Sequence, residues 1–185
     1  SNIHGVLRLH CDDKGNYTVS DYAATNGKLN SVYADCIYKD TKGRIWVGTG
    51  GSGLNLYDES TDTFLPVHAK WNLPGDAVVG IQSDKEGNLW LGTNAGLIKL
   101  TIANDMENVT FRLYTTVDGL QDNIFIRSAQ AVAADGEMFF GGHRGYNSFY
   151  PEKQQEQNFS SSVIVTDIKI FNQPWGNLPV KERMA

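Results

Sequence analysis

A thirteen-residue segment occurs twice in this chain with the same turn, the same tryptophan and the same ending. Ile37-Tyr38-Lys39-Asp40-Thr41-Lys42-Gly43-Arg44-Ile45-Trp46-Val47-Gly48-Thr49 is matched by Ile81-Gln82-Ser83-Asp84-Lys85-Glu86-Gly87-Asn88-Leu89-Trp90-Leu91-Gly92-Thr93. A weaker copy runs Ala131-Val132-Ala133-Ala134-Asp135-Gly136-Glu137-Met138-Phe139-Phe140-Gly141-Gly142. The turn glycines Gly43, Gly87 and Gly136 recur after 44 and then 49 residues. Repeats of about 40 to 50 residues belong to four-stranded propeller blades rather than to shorter helical units.

The local chemistry agrees with that period. Asp first and Gly fourth is the preference of a type I turn, and the Asp carboxylate accepts nearby backbone N–H groups. Ile45-Trp46-Val47 and Leu89-Trp90-Leu91 are apolar on both sides of a strand, as packing between two neighbouring sheets demands. A second Gly-bounded loop follows each motif, at residues 48–53, 92–96 and 141–145. Gly5-Val6-Leu7-Arg8-Leu9 resembles Gly96-Leu97-Ile98-Lys99-Leu100, so the chain is expected to open inside a blade. Polar connectors around residues 26–30, 72–76 and 118–122 lead into each following strand, and no segment shows sustained helical periodicity. After Pro151 the pattern stops.

These signals predict an all-β chain: a partial β-propeller of about three four-stranded blades over residues 1–152, the first incomplete. A polar linker is expected over 153–162. Val163 to Phe171 then reads as a strand that starts a β-sandwich over 163–185. Three blades do not close a ring, since propellers use four to eight. The chain is therefore expected to be cut from a longer one, with its free apolar faces paired against a second copy as a homodimer.

Composition narrows the function classes. The formal net charge is −5 and no Lys/Arg cluster stands out, which argues against a nucleic-acid surface. Cys11 and Cys36 form no disulfide framework and no metal-type spacing, and Cys36 reads as a small buried thiol. No apolar run approaches the roughly 20 residues needed to cross a bilayer, and no signal peptide opens the chain.

The segment 84–97 (Asp84-Lys85-Glu86-Gly87-Asn88-Leu89-Trp90-Leu91-Gly92-Thr93-Asn94-Ala95-Gly96-Leu97) resembles the two-component regulator propeller repeat. Asp118-Gly119-Leu120-Gln121-Asp122-Asn123, the motif at 135–142 and residues 146–151 are similar to that family's last blade. Residues 163–172 resemble the opening strand of the Ig-like domain that follows it. The resemblance implies a periplasmic sensor region of a hybrid two-component histidine kinase of the Bacteroides type, which recognises glycan-derived oligosaccharides. It implies a membrane tether and a kinase outside this chain, and no catalysis or cofactor within it.

The family's matching motifs are turns and core positions, so they transfer no ligand-binding residue. Loop placement alone nominates Trp71, Asp122, Arg127, His143 and Arg144 as ligand contacts. Trp71 lies in a connector, where an aromatic ring can stack on a sugar. His143 and Arg144 lie in the loop between a blade's second and third strands. No metal site is expected, because His4, His10, His68 and His143 show no ligand spacing. The alternative reading is a propeller enzyme of the streptogramin-lyase type, which would need a rim His with a neighbouring Glu or a metal.

Overall fold

The repeated turn closes as its residues require. Gly43 N–H donates to Asp40 O at 2.9 Å, and Gly87 N–H to Asp84 O at 3.1 Å. The carboxylate also reaches beyond the turn. Asp40 Oδ1 accepts the backbone N–H groups of Lys42 and Arg44, while Oδ2 accepts the Trp46 indole at 2.9 Å and the Arg44 guanidinium at 2.6 Å. Asp84 repeats the pattern with Glu86 N, Asn88 N, Asn88 Nδ2 and the Trp90 indole, all within 2.9–3.0 Å. The Asp and the Trp six residues later are thus one unit, which pins the first turn to the buried strand. In the weak third copy Ala133 and Phe139 stand at those two positions, so acceptor and donor are lost together. Asp135 instead accepts Glu137 N–H and the Tyr150 hydroxyl.

The computed structural model describes residues 5–103 and 106–154 and, as backbone, 169–170 and 173–174. The chain divides into two units, Ser1–Gln154 and Gln155–Ala185. In the first unit the strands form consecutive antiparallel sheets. β1 (Val6–Cys11) and β2 (Tyr17–Tyr22) make a pair. β3 (Ala34–Lys39), β4 (Ile45–Thr49), β5 (Gly53–Asp58) and β6 (Thr63–Leu65) make a four-stranded meander. So do β7 (Val78–Ser83), β8 (Leu89–Thr93), β9 (Leu97–Ile102) and β10 (Val109–Tyr114). β11 (Phe125–Val132), β12 (Met138–Gly142) and β13 (Gly145–Phe149) make a sheet of three. The fold is that of propeller blades, two of them complete and two partial among the described residues.

The opening β1–β2 pair corresponds to the third and fourth strands of a blade. Gly5 and Gly96 prove the correspondence: both have positive φ (125° and 137°), and a Cβ on either would lie 2.2 Å from a carbonyl oxygen of the adjacent strand, Tyr22 O or Tyr114 O. Only glycine fits there.

Cores lie between successive sheets, and a single strand feeds two of them. Val47 packs with Tyr22, Leu29 and Phe64 toward the first sheet. Its neighbour Trp46 faces Val78, Ile81 and Leu91 of the third. One sheet on, Leu89 and Leu91 join that cluster, while Trp90 turns to Phe125, Met138 and Phe140 of the fourth. Trp46, Val47, Trp90 and Leu91 are all essentially inaccessible to water. The both-sided apolar strands of the sequence therefore serve two interfaces each.

The connectors hold more regular structure than their polarity suggests. Residues Ala24–Asn26 and Thr116–Asp118 form 3-10 turns, and Val67–Lys70 forms a one-turn helix, α1, that buries Val67 and His68. The His68 ring lies over Gly53, with Nε2 at 2.8 Å from Gly75 O. Pro151–Lys153 is a 3-10 turn where the linker was expected to begin. In the second unit β14 (Lys169–Ile170) pairs antiparallel with β15 (Gln173–Pro174). The rest of the expected linker and of the β-sandwich segment, 155–168 and 175–185 included, lies outside the described residues.

Candidate functional site

The meander assigns each loop to one end of the blades. The motif turns at 40–43, 84–87 and 133–136 lie at one end. The opposite end collects the connectors, the starts of β3, β7 and β11, and the loops that follow β4, β8 and β12. β3, β7 and β11 contact one another, so the first strand of each sheet lines the common axis.

This rim is stitched together by polar contacts between loops and connectors. Gly51 and Gly53 N–H groups donate to Asp76 O, and Gly50 bridges Ala77. Asn94, in the loop after β8, accepts from Asp76 N and Ala77 N and donates to Asp76 Oδ1 at 2.6 Å. Around the fourth sheet, Arg144 N donates to Gln121 Oε1 and Gln121 N to Asn147 Oδ1. These contacts fix the backbone and leave several side chains free to face solvent. Exposed loops on a rigid scaffold are where recognition residues concentrate.

The five residues nominated from sequence divide into three groups. His143 and Arg144 are exposed on the rim, and neither side chain makes a polar contact among the described residues. Arg127 is also at this end, on β11, and its guanidinium pairs with Asp35 Oδ1 at 2.6 Å. Asp122 turns onto its own backbone, with Oδ1 accepting Asn123 N–H at 2.7 Å. Trp71 is half-buried at the end of α1, its ring 6.1 Å from that of Trp46 and its indole N–H without an acceptor. The structure thus presents His143, Arg144 and Arg127 outward and engages Asp122 and Trp71 in local packing.

One rim residue was invisible to loop placement. Asp35 lies on β3 with its side chain only 3% exposed, facing Arg127 from 92 positions away in the sequence. Burial pushes its carboxyl above the ordinary value, against the opposing pull of Arg127. The adjacent Cys36 thiol is pushed up to about 12 by burial, which makes it inert packing rather than a nucleophile. Cavities flank the sheets, two of them large. One of about 180 Å³, between the third and fourth sheets, is lined by Trp90, Tyr114, Asp118, Asn147 and Phe149. The other, about 300 Å³ and mostly apolar, lies between the first and second sheets beside Val6, Tyr22, Ile37 and Phe64. Among the described residues no group of three His, Cys, Asp or Glu is placed to hold a metal, and no helix is long and apolar enough to cross a membrane.

Comparison with known proteins matches these elements. The profile of the two-component regulator propeller family fits residues 26–51 and 72–95. Each match runs from a connector through the first two strands of a complete blade to its rim loop. Histidine kinase P4 of Formosa agariphila is 29% identical over 169 residues, covering 91% of this chain and 12% of that protein. The extracellular domains of two hybrid two component systems of B. thetaiotaomicron share the fold. One superposes with a TM-score of 0.53 at 17% identity, over 80% of this chain and 25% of that one. The other has a TM-score of 0.54 at 18% identity, over 79% and 19%. The chain spans a quarter or less of the length of each of these relatives. Its matched repeats and its observed blades coincide, and both matched segments are similar to the two-component regulator propeller repeat.

Proposed function

We propose that this chain is part of the ligand-sensing region of an extracytoplasmic, periplasmic hybrid two-component sensor, which recognises oligosaccharides and signals to a kinase outside the chain. The observation that carries this reading is the alignment with a histidine kinase, in which nearly the whole chain takes up a small fraction of that protein. The extracellular placement of both structural relatives supports the location. The chain itself supplies binding and no chemistry. The lyase alternative needs a base or a metal beside His143, and no feature of the described rim favours it.

The rim of connectors and loops is the recognition face, and a ligand there acts through its different affinity for two arrangements of the protein. Pairing of two copies is part of the proposal. Leu7, Leu9, Tyr17 and Val19 are exposed on the β1–β2 pair, which invites a covering surface. Calorimetry of neutral and acidic oligosaccharides against the complete propeller tests the reading. A saccharide that binds and changes autophosphorylation of the encoded kinase supports it. A reading frame that stops soon after codon 185, with no membrane helix or kinase, overturns it.

A further inference from the structure

The first strands of the second, third and fourth sheets depart from regular pairing at the same place, just inside the rim. In β3, Ala34 faces Thr49 and Cys36 faces Gly48, which leaves Asp35 as an extra residue. In β7 the extra residue is Val79. In β11 the pairing passes from Phe125 opposite Gly142 to Gln130 opposite Phe140, a longer bulge that holds Arg127 and Ser128. Ser128 has φ 58°, a conformation that a non-glycine residue adopts only when its surroundings hold it there. Bulges re-aim side chains and concentrate next to binding sites. Here two of them aim opposite charges at one point on the axis.

The Asp35 carboxylate differs from its buried counterparts. Asp40 and Asp84 each take four hydrogen bonds. Asp35 Oδ1 takes no backbone N–H among the described residues and is met by one guanidinium, at 2.6 Å, whose own side chain is 62% exposed. A buried carboxylate without hydrogen-bond donors is costly, and in a native protein it calls for an explanation.

We propose that Asp35 and Arg127 form a subsite that binds adjacent hydroxyl groups of an uncharged sugar ring. The proposal rests on the saccharide-sensing reading above and adds a location and a charge class. A ligand hydroxyl donates to the Asp35 carboxylate, while the N–H groups that Arg127 leaves free donate to hydroxyl oxygens. An anionic ligand is disfavoured, because the single cation is already neutralised by Asp35 at 2.6 Å. Asp35 has the second task of holding the exposed guanidinium in one orientation.

The test uses an array of immobilised oligosaccharides, neutral on one half and bearing uronate or sulfate groups on the other, probed with the labelled complete propeller that contains this chain. Asp35→Asn and Arg127→Gln are compared with the parent, and each is melted in parallel. The proposal expects neutral sugars to bind, and either variant to lose about tenfold or more in affinity, as befits lost hydrogen bonds to charged groups. Asp35→Asn should melt no lower than the parent, since it removes a poorly compensated buried charge. Unchanged binding in both variants, or binding confined to anionic sugars, overturns this proposal and leaves the sensing reading standing. A lower melting temperature with unchanged binding marks the pair as structural and also overturns it. No binding to any sugar overturns both.

Discussion

Replacing Asp84 by Ala removes one acceptor shared by four donors. Two of those donors, Asn88 N–H and the Trp90 indole, belong to residues only 7% and 1% exposed. Each buried donor left unpaired costs about 1–3 kcal/mol, so Asp84→Ala should lose about 3 kcal/mol in all. Trp90→Phe removes the indole donor and leaves Asp84 its other three partners. If the Asp–Trp bond is a real unit, the double variant should lose about 1–2 kcal/mol less than the sum of the singles. Equilibrium urea unfolding at neutral pH, followed by circular dichroism, measures all four corners of the cycle. Losses that add to within about 0.5 kcal/mol would show that the two residues act independently. Ala133 and Phe139 would then be unrelated replacements.

Further perturbations test other links. Burial opposes the charge on Asp40, but hydrogen bonds from Trp46 and Arg44 outweigh it and hold its carboxyl below the usual range. That stability is fully present above the unfolded carboxyl value of about 3.9 and is lost as pH falls through the lower folded one. Asp40→Asn should therefore flatten the acid limb of the urea midpoint against pH; an unaltered limb would contradict the assignment. Gly48→Ala would set a Cβ 2.4 Å from Val78 O and 2.5 Å from Cys36 Sγ, where the second sheet packs on the third. A loss of about 1–3 kcal/mol is expected in thermal unfolding, and a neutral result would mean that the sheets separate freely.

What could be read in the sequence was local. Asp40, Gly43 and Trp46 carry their reasons within a dozen residues: a turn, a positive φ and a two-sided strand. Period and pattern therefore led directly to blades. The indole bond was missed because a turn-forming Asp already has enough to explain it, and a link six residues onward leaves no extra signature. α1 was missed because four residues are too few to establish a helical period, and its buried face consists of only Val67 and His68. Asp35 and Arg127 were out of reach for a different reason, since nothing in one segment announces a partner on another blade. One trace was present. Gly87 follows Val78 by nine residues, whereas Gly136 follows Phe125 by eleven. The two surplus residues are part of the bulge that carries Arg127. Repeats that differ in length by so little mark where a strand has been re-aimed.

If the repeated motif builds the scaffold, the proposed recognition falls to the rim where the repeats differ. Hydrogen–deuterium exchange of the protein, with and without a saturating oligosaccharide taken from the array, tests this at peptide resolution. Protection should appear at residues 50–53, 72–79, 119–128 and 142–145, with the motif turns at 40–43, 84–87 and 133–136 unchanged. Protection centred on those turns, with the rim unaffected, would contradict it.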